Sequence, residues 1–155
     1  MQELKIRQYH HLDLKQVWEL HIAGLRSAGV FREMSKELDK DFDDIEGTYL
    51  KGGEFLVGLL EDRIVSMGAL RRISDERGEI KRLRTYPKHQ QSGFGGEIYA
   101  MLEEKARQLQ FKVLQADTDI GNTLMQRLLP EAGYREIERK KLGGMDSIIY
   151  EKFLL

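Results

Sequence analysis

Gln90-Gln91-Ser92-Gly93-Phe94-Gly95-Gly96 is the stretch of this chain whose residue types and spacing suit a defined chemistry. It lies directly before the clearest amphipathic run, so its last residues must open a helix. The first backbone N–H groups of a helix have no intrahelical acceptor, and the aligned peptide dipoles make that end partly positive. Glycines at 93, 95 and 96 remove the Cβ atoms that would hold phosphate oxygens away from those amides, and Gln90 and Ser92 can add side-chain donors. A glycine cluster can also be no more than a tight turn into a helix. The string is not a Walker loop, because no Gly-Lys-Ser/Thr follows. Nor is it the dinucleotide fingerprint, because the chain before it reads as an antiparallel meander.

Other chemistries are excluded or weak. With no cysteine there is no disulfide, thiolate metal site or acyl-cysteine intermediate. Asp39-x-Asp41-x-Asp43 has the spacing of the start of a calcium loop. Asp44 stands where that loop needs glycine, however, and Leu50 where it needs glutamate, so no metal is expected and a solvated acidic helix face is the simpler reading. His10, His11, His21 and His89 have no metal-ligand spacing; His21 falls near an apolar stripe and reads as a hydrogen-bonded packing histidine.

The elements that must position the glycine turn follow from periodicity. Leu4 to Tyr9 reads as a strand. Asp13 with Gln16 gives a capping-box start to a helix carrying Leu14, Val17, Trp18, Ile22 and Leu25. A second helix bounded by loops is expected within Ser27 to Gly53. Phe55–Leu60 and Ile64–Leu70, joined at Glu61-Asp62-Arg63, form a hairpin, and Glu79–Thr85, closed by Pro87, adds a third strand. The Phe94–Gln110 helix places Ile98, Met101, Leu102, Ala106 and Leu109 on one face. Phe111–Ala116 reads as a buried strand and Asn122–Glu131 as a shorter helix. Tyr134–Leu142 and Ser147–Leu154 are strands around Gly143-Gly144. The 155 residues therefore form a single α/β domain over 1–155, of mixed α+β type, with antiparallel meanders and one strand–helix–strand crossover. A net charge of -1 without a basic surplus argues against nucleic acid. The absence of a signal-like or bilayer-length apolar run argues for a cytoplasmic protein with no membrane partner.

With strand, turn and helix placed, Gly78-Glu-Ile-Lys-Arg-Leu-Arg-Thr-Tyr-Pro87 followed by Gln90-Gln-Ser-Gly-Phe-Gly95 resembles the GNAT superfamily of acetyl-CoA-dependent N-acetyltransferases. Gln90, Gly93 and Gly95 satisfy that family's Arg/Gln-x-x-Gly-x-Gly/Ala signature, and Thr85-Tyr86-Pro87 stands for its Val-x-Pro-like strand end. Thr118, Asn122 and Ala132-Gly133-Tyr134 resemble its later Asn-led helix and Gly-Phe turn.

The resemblance implies a mostly antiparallel sheet of about seven strands with one splayed parallel pair, Glu79–Thr85 beside Phe111–Ala116, and flanking helices. It implies acetyl-CoA as cofactor, with the main chain around Leu83, Arg84 and Thr85 holding the pantetheine arm and acetyl carbonyl. The segment Gln90, Gln91, Ser92, Gly93, Phe94, Gly95 and Gly96 would hold the pyrophosphate, and Asn122 would add a further contact. It implies transfer to a primary amine of a small molecule or peptide, with Glu79 as catalytic base. A structural reading of Glu79 pairs it instead with Lys81, Arg82 or Arg77. The tyrosine that protonates the leaving thiolate in many members is Leu129 here. That leaves water, another residue, or a noncatalytic acyl-CoA-binding module as alternatives. A homodimer is compatible with the sequence but not specified by it.

Overall fold

A computed structural model of the protein describes residues 3–27 and 38–155. The strands are β1 (Lys5–Gln8), β2 (Glu54–Leu60), β3 (Arg63–Arg72), β4 (Arg77–Thr85), β5 (Val113–Asp119), β6 (Arg135–Leu142) and β7 (Met145–Phe153). The helices are α1 (Leu14–Ser27), α2 (Phe94–Gln108) and α3 (Thr123–Glu131). The strands form one seven-stranded sheet in the order β1-β2-β3-β4-β5-β7-β6, antiparallel except where β4 meets β5. The expected α/β architecture, with its single parallel pair, is the observed one.

Each face of the sheet carries its own core. On one side Val17 and Leu20 of α1 join Phe42, Ile45 and Tyr49 over Phe55, Val57, Met67 and Ala69. On the other, Ile98, Leu102 and Ala106 of α2 and Leu129 of α3 join Leu70, Ile80, Leu114 and Ile148. The first helix differs in detail from its expected form. Its buried stripe is Val17, Leu20, His21 and Gly24, while Leu14 is exposed. Its capping box sits one turn earlier: Leu12 N–H donates to His10 Nδ1, and His10 N–H donates to Asp13 Oδ2. Asp13 is thus the last residue of the box rather than its first, and it is buried because Arg7 meets it with two hydrogen bonds of 2.7 and 3.0 Å. Gln16 accepts the N–H of Ile64 instead of capping. Met101, expected on the buried face of α2, is exposed.

The fifth strand begins later than expected and runs on to Asp119. Phe111 belongs to the stop of α2: Gln110 takes φ +65°, its N–H donates to Arg107 O, and Phe111 N–H reaches back to Ala106 O. That is a Schellman closure with a buried aromatic at its end. The same closure ends α3, with Gly133 at φ +99° and Tyr134 N–H on Leu129 O. The part of the expected second helix that falls on 28–37 lies outside the described residues. Beyond it are a 3-10 turn, Lys40–Asp43, and a π-helical turn, Glu46–Leu50.

Two features of β4 open the sheet. It pairs with β5 only from Arg77 to Glu79, opposite Val113 to Gln115, so no β4 backbone group beyond Glu79 reaches β5. Against β3, Met67 faces Arg84 while Ala69 faces Lys81, so Arg82 and Leu83 together oppose Gly68. Arg82 takes φ +56° in this bulge. The extra residue bends the strand away from β5. Gly68 is required there, because a Cβ would lie within 3.0 Å of Ile98, Leu102 and Leu83 side chains.

Candidate active site

Where β4 and β5 part, two cavities meet. The larger, about 660 Å³, is lined by every residue that the sequence assigned to the cofactor: Leu83, Arg84, Thr85, Gln90, Gln91, Ser92, Gly93, Phe94, Gly95, Gly96 and Asn122. The smaller, about 150 Å³, lies on the other side of the gap and includes Lys81, Arg82, Asp117, Asp119 and Ser147 in its wall. Leu83, Arg84, Asn122 and Met125 line both.

The glycine turn makes the end of the larger cavity. Gln91 at φ +66° and Gly93 at φ +88° curl the chain so that α2 starts at Phe94, and no side chain caps it. The first main-chain bond of that helix runs from Glu97 N–H to Gly93 O, leaving the amides of the preceding turn directed outward. A Cβ at Gly93 or Gly96 would meet nothing within 4 Å, and one at Gly95 would meet only Thr85 Oγ1 at 3.5 Å. Uncapped amides around open space fit a pyrophosphate. Gln90 and Ser92 serve the turn itself: Gln90 Nε2 donates to Thr85 O at 3.2 Å, and Ser92 Oγ donates to His89 O. The strand end is fixed from behind by Ser66, whose Oγ donates to Arg84 O at 3.0 Å and lies 2.8 Å from Thr85 Oγ1. Asn122, which lines both cavities, accepts the Met125 N–H at its Oδ1 and so caps α3.

Other cavity residues had no site role in the sequence reading. His89 adds an imidazole and Arg127 a positive charge to the wall, where Glu131 is the carboxylate among the described lining residues. Leu124, Arg127, Leu128 and Glu131 recur at helical spacing, a signal that could have marked this face of α3. Tyr99 is the one tyrosine lining either cavity among the described residues. Its hydroxyl donates to Glu103 Oε1 at 2.9 Å and lies 3.0 Å from that of Tyr134. Burial, reinforced by Tyr134 and Glu103, pushes its pKa far above the ordinary phenol value. Leu129 also lines the cavity and packs in the α2 core, the helix-face role expected of it.

Glu79 sits at the last paired register of the parallel strands and is buried. Its partners are not those expected: Arg71 Nη1 lies 3.5 Å away across β3, and Gln115 Nε2 donates from β5 at 3.4 Å. Burial raises its pKa above the usual glutamate value; Lys81 opposes that rise and Asp117 adds to it. Glu79 lines neither cavity, but Lys81 and Asp117, two residues further along each strand on the same face, line the smaller one.

The acidic segment is only in part the solvated face expected: Asp43, Asp44 and Glu46 are exposed, but Asp39 is buried and Asp41 half-buried. Asp39 and Asp41 point inward onto Arg82, whose side chain is 7% exposed. Arg82 donates to Asp41 Oδ1 and Oδ2 at 2.6 and 2.9 Å and to Leu38 O at 2.6 Å, and it stacks on Phe42. Tyr49 donates to Asp41 at 2.5 Å. Burial opposes the charge on Asp41, but the bonds from Arg82 outweigh it and lower its pKa. His21 is the buried packing histidine anticipated: Nε2 lies 3.0 Å from Asp39 Oδ1, and burial, aided by Arg82 and Arg84, pushes its pKa down to about 3. It is neutral at ordinary pH.

The sequence profile of the Acetyltransferase (GNAT) family matches residues 15–134, and the chain belongs to that family. It is an acyl-CoA-dependent acetyltransferase whose cofactor is acetyl-CoA. No curated protein matches it by sequence. Among solved structures it is similar to an acetyltransferase from Streptococcus agalactiae 2603, at 24% identity over 99% of this chain and 100% of that one, with a TM-score of 0.89. It is also similar to a GNAT-family acetyltransferase from Staphylococcus aureus MU50, at 18% identity over 99% and 100% of the two chains, with a TM-score of 0.90. A third similar structure is the PaiA N-acetyltransferase from Thermoplasma acidophilum in complex with coenzyme A, at 16% identity over 98% and 99%, with a TM-score of 0.79. No helix among the described residues is long and apolar enough to cross a membrane.

Proposed function

We propose that the protein transfers acetyl from acetyl-CoA to the primary amine of a small molecule or peptide by direct attack, with the amine entering through the smaller cavity. One observation carries this reading: the glycine-turn cavity and the polar cavity share Leu83, Arg84, Asn122 and Met125 at the gap between β4 and β5. Acetyl-CoA supplies a thioester whose carbonyl carbon accepts the amine, the C–N bond forming as the C–S bond breaks and the thiol leaves. The amides of the Gln91–Gly96 turn hold the pyrophosphate, and the unpaired edge of β4 around Leu83 to Thr85 holds the arm.

An alkyl ammonium has a pKa of about 10.4 and must lose a proton before it attacks. Glu79 takes it through a water, since the carboxylate lies behind Lys81 and Asp117, and its raised pKa makes it a stronger base than an exposed glutamate. A thiol has a pKa of only about 8.5, so the leaving thiolate is weakly basic and water suffices to protonate it. Leu129 therefore costs the reaction little. Tyr99 stays protonated and committed to Glu103.

Because the chain has no cysteine, a thiol reagent reports released coenzyme A without background. Glu79→Gln is expected to lower turnover by roughly 100-fold near neutral pH, with the deficit narrowing as pH approaches the pKa of the amine. An unchanged pH–rate profile would remove Glu79 from the role.

A further inference from the structure

The smaller cavity carries two charges of opposite sign that do not satisfy each other. Asp117 on β5 and Lys81 on β4 face it from the two sides of the gap, and neither forms an ion pair with any described residue, Lys81 acting only at longer range on Glu79 and Asp41. The other charged groups of its wall are occupied. Arg82 is held by Asp41 and Leu38 O, Arg84 lies along α1 against Gly24, and Asp119 accepts Gly121 N–H at 2.7 Å. The rest of the lining is largely apolar, with Leu25, Leu38, Leu142, Met125 and Met145. The volume, about 150 Å³, is below the roughly 300 Å³ at which drug-sized ligand pockets begin.

A half-buried charge without a partner is costly unless a ligand supplies one. A monoamine would answer Asp117 and leave Lys81 without a direct ion-pair partner. We infer that the acceptor is a small free amino acid with an apolar side chain, its ammonium on Asp117 and its carboxylate on Lys81. This rests on the acetyl transfer proposed above and names its acceptor class. Asp117 receives the ammonium of the incoming amino acid near Glu79, which then removes the proton through a water. Acetylation turns the amine into a neutral amide, so Asp117 loses its counter-charge and the product is released from that side. Leu38 closes the cavity because Arg82 holds its carbonyl, which makes the Asp41–Arg82 clamp part of the acceptor wall.

The test is calorimetry on the full chain, first loaded with coenzyme A and then titrated with leucine, methionine, leucinamide and isopentylamine, with thiol-release kinetics on the same panel. Leucine and methionine are expected to bind about tenfold or more tighter than leucinamide, the value of one partly buried charge-assisted contact. Lys81→Met should erase that ratio, Lys81→Arg should keep it, and Asp117→Asn should weaken every amine in the panel. Leucinamide binding as tightly as leucine, or a ratio unmoved by Lys81→Met, overturns the inference. Failure to bind coenzyme A in the loading step overturns the functional reading and this inference with it. Coenzyme A binding with no preference for the carboxylate overturns the inference alone.

Discussion

The two sides of the β4–β5 gap are built from different materials. On the side proposed for the cofactor the wall offers main chain: an uncapped helix start, glycines at 93, 95 and 96, and a strand edge left without a partner. On the side proposed for the acceptor the wall is held across about forty residues of sequence, the Arg82 guanidinium closing on the Asp41 carboxylate and the Leu38 carbonyl. Main-chain recognition needs only local geometry and suits a phosphate group that is the same in every reaction. Side-chain recognition depends on tertiary assembly and can be altered one residue at a time without disturbing the cofactor. The split lets one scaffold keep its coenzyme and change its acceptor.

The clamp is where this division breaks most visibly. Arg82→Ala would leave Asp41 buried with only Tyr49 as a strong partner, and removing one member of a buried pair costs about 3–5 kcal/mol. Chemical denaturation should show a loss of that size. At a temperature where the variant is still folded, the KM for the acceptor should rise while the affinity for coenzyme A stays within about threefold. An equal loss on both sides would mean that the bulge, rather than the wall, is what Arg82 supports. The opposite cut is Gly95→Glu. Nothing but Thr85 Oγ1 crowds that position, so the fold should tolerate it, whereas a carboxylate among the amides should weaken coenzyme A by roughly 100-fold, about 2.8 kcal/mol. Calorimetry reads this directly. Unchanged affinity would place the pyrophosphate elsewhere.

The same division decides what could be read in the sequence. The turn that opens α2 at Phe94, most of the α2 stripe and the Gly143-Gly144 hairpin depend on residues close together in the chain, and the structure has all three, with Met101 alone of the stripe exposed. Strand bounds slipped where a tertiary role claimed an apolar residue, as Phe111 does in closing α2 and stacking beneath Arg72. Asp39 and Asp41 depart from the solvated face that the composition of Asp39 to Asp44 suggests, because only the fold brings Arg82 to them, while Asp43 and Asp44 stay exposed. Glu79 was placed by resemblance, but its partners were not. Arg71 meets it through the β3–β4 register, which no local pattern encodes. The β4 bulge had no sequence signal either, since Arg82 holds φ +56° without a glycine.

The smallest effect expected tests whether the two sides are energetically separate at the back of the cofactor cavity. Glu103 on α2 accepts from Tyr99, Arg107 and Lys152, joining that helix to β7. Burial opposes its charge, but these three donors together push its pKa down to about 2 from an ordinary 4.5. A carboxylate with a lowered folded-state pKa contributes stability that is full above the ordinary value and is lost as pH falls through the folded one. Glu103→Gln should therefore cost about 1 kcal/mol at neutral pH and flatten the fall in stability between about 4.5 and 2, leaving acceptor KM unchanged. Thermal unfolding across that range measures it. Glu103 fixes Tyr99, and Tyr99 lines only the cofactor cavity, so the variant should shift coenzyme A affinity slightly and the acceptor not at all. A change in acceptor KM would show that α2 carries strain across the gap, and the separation of the two sides would fail.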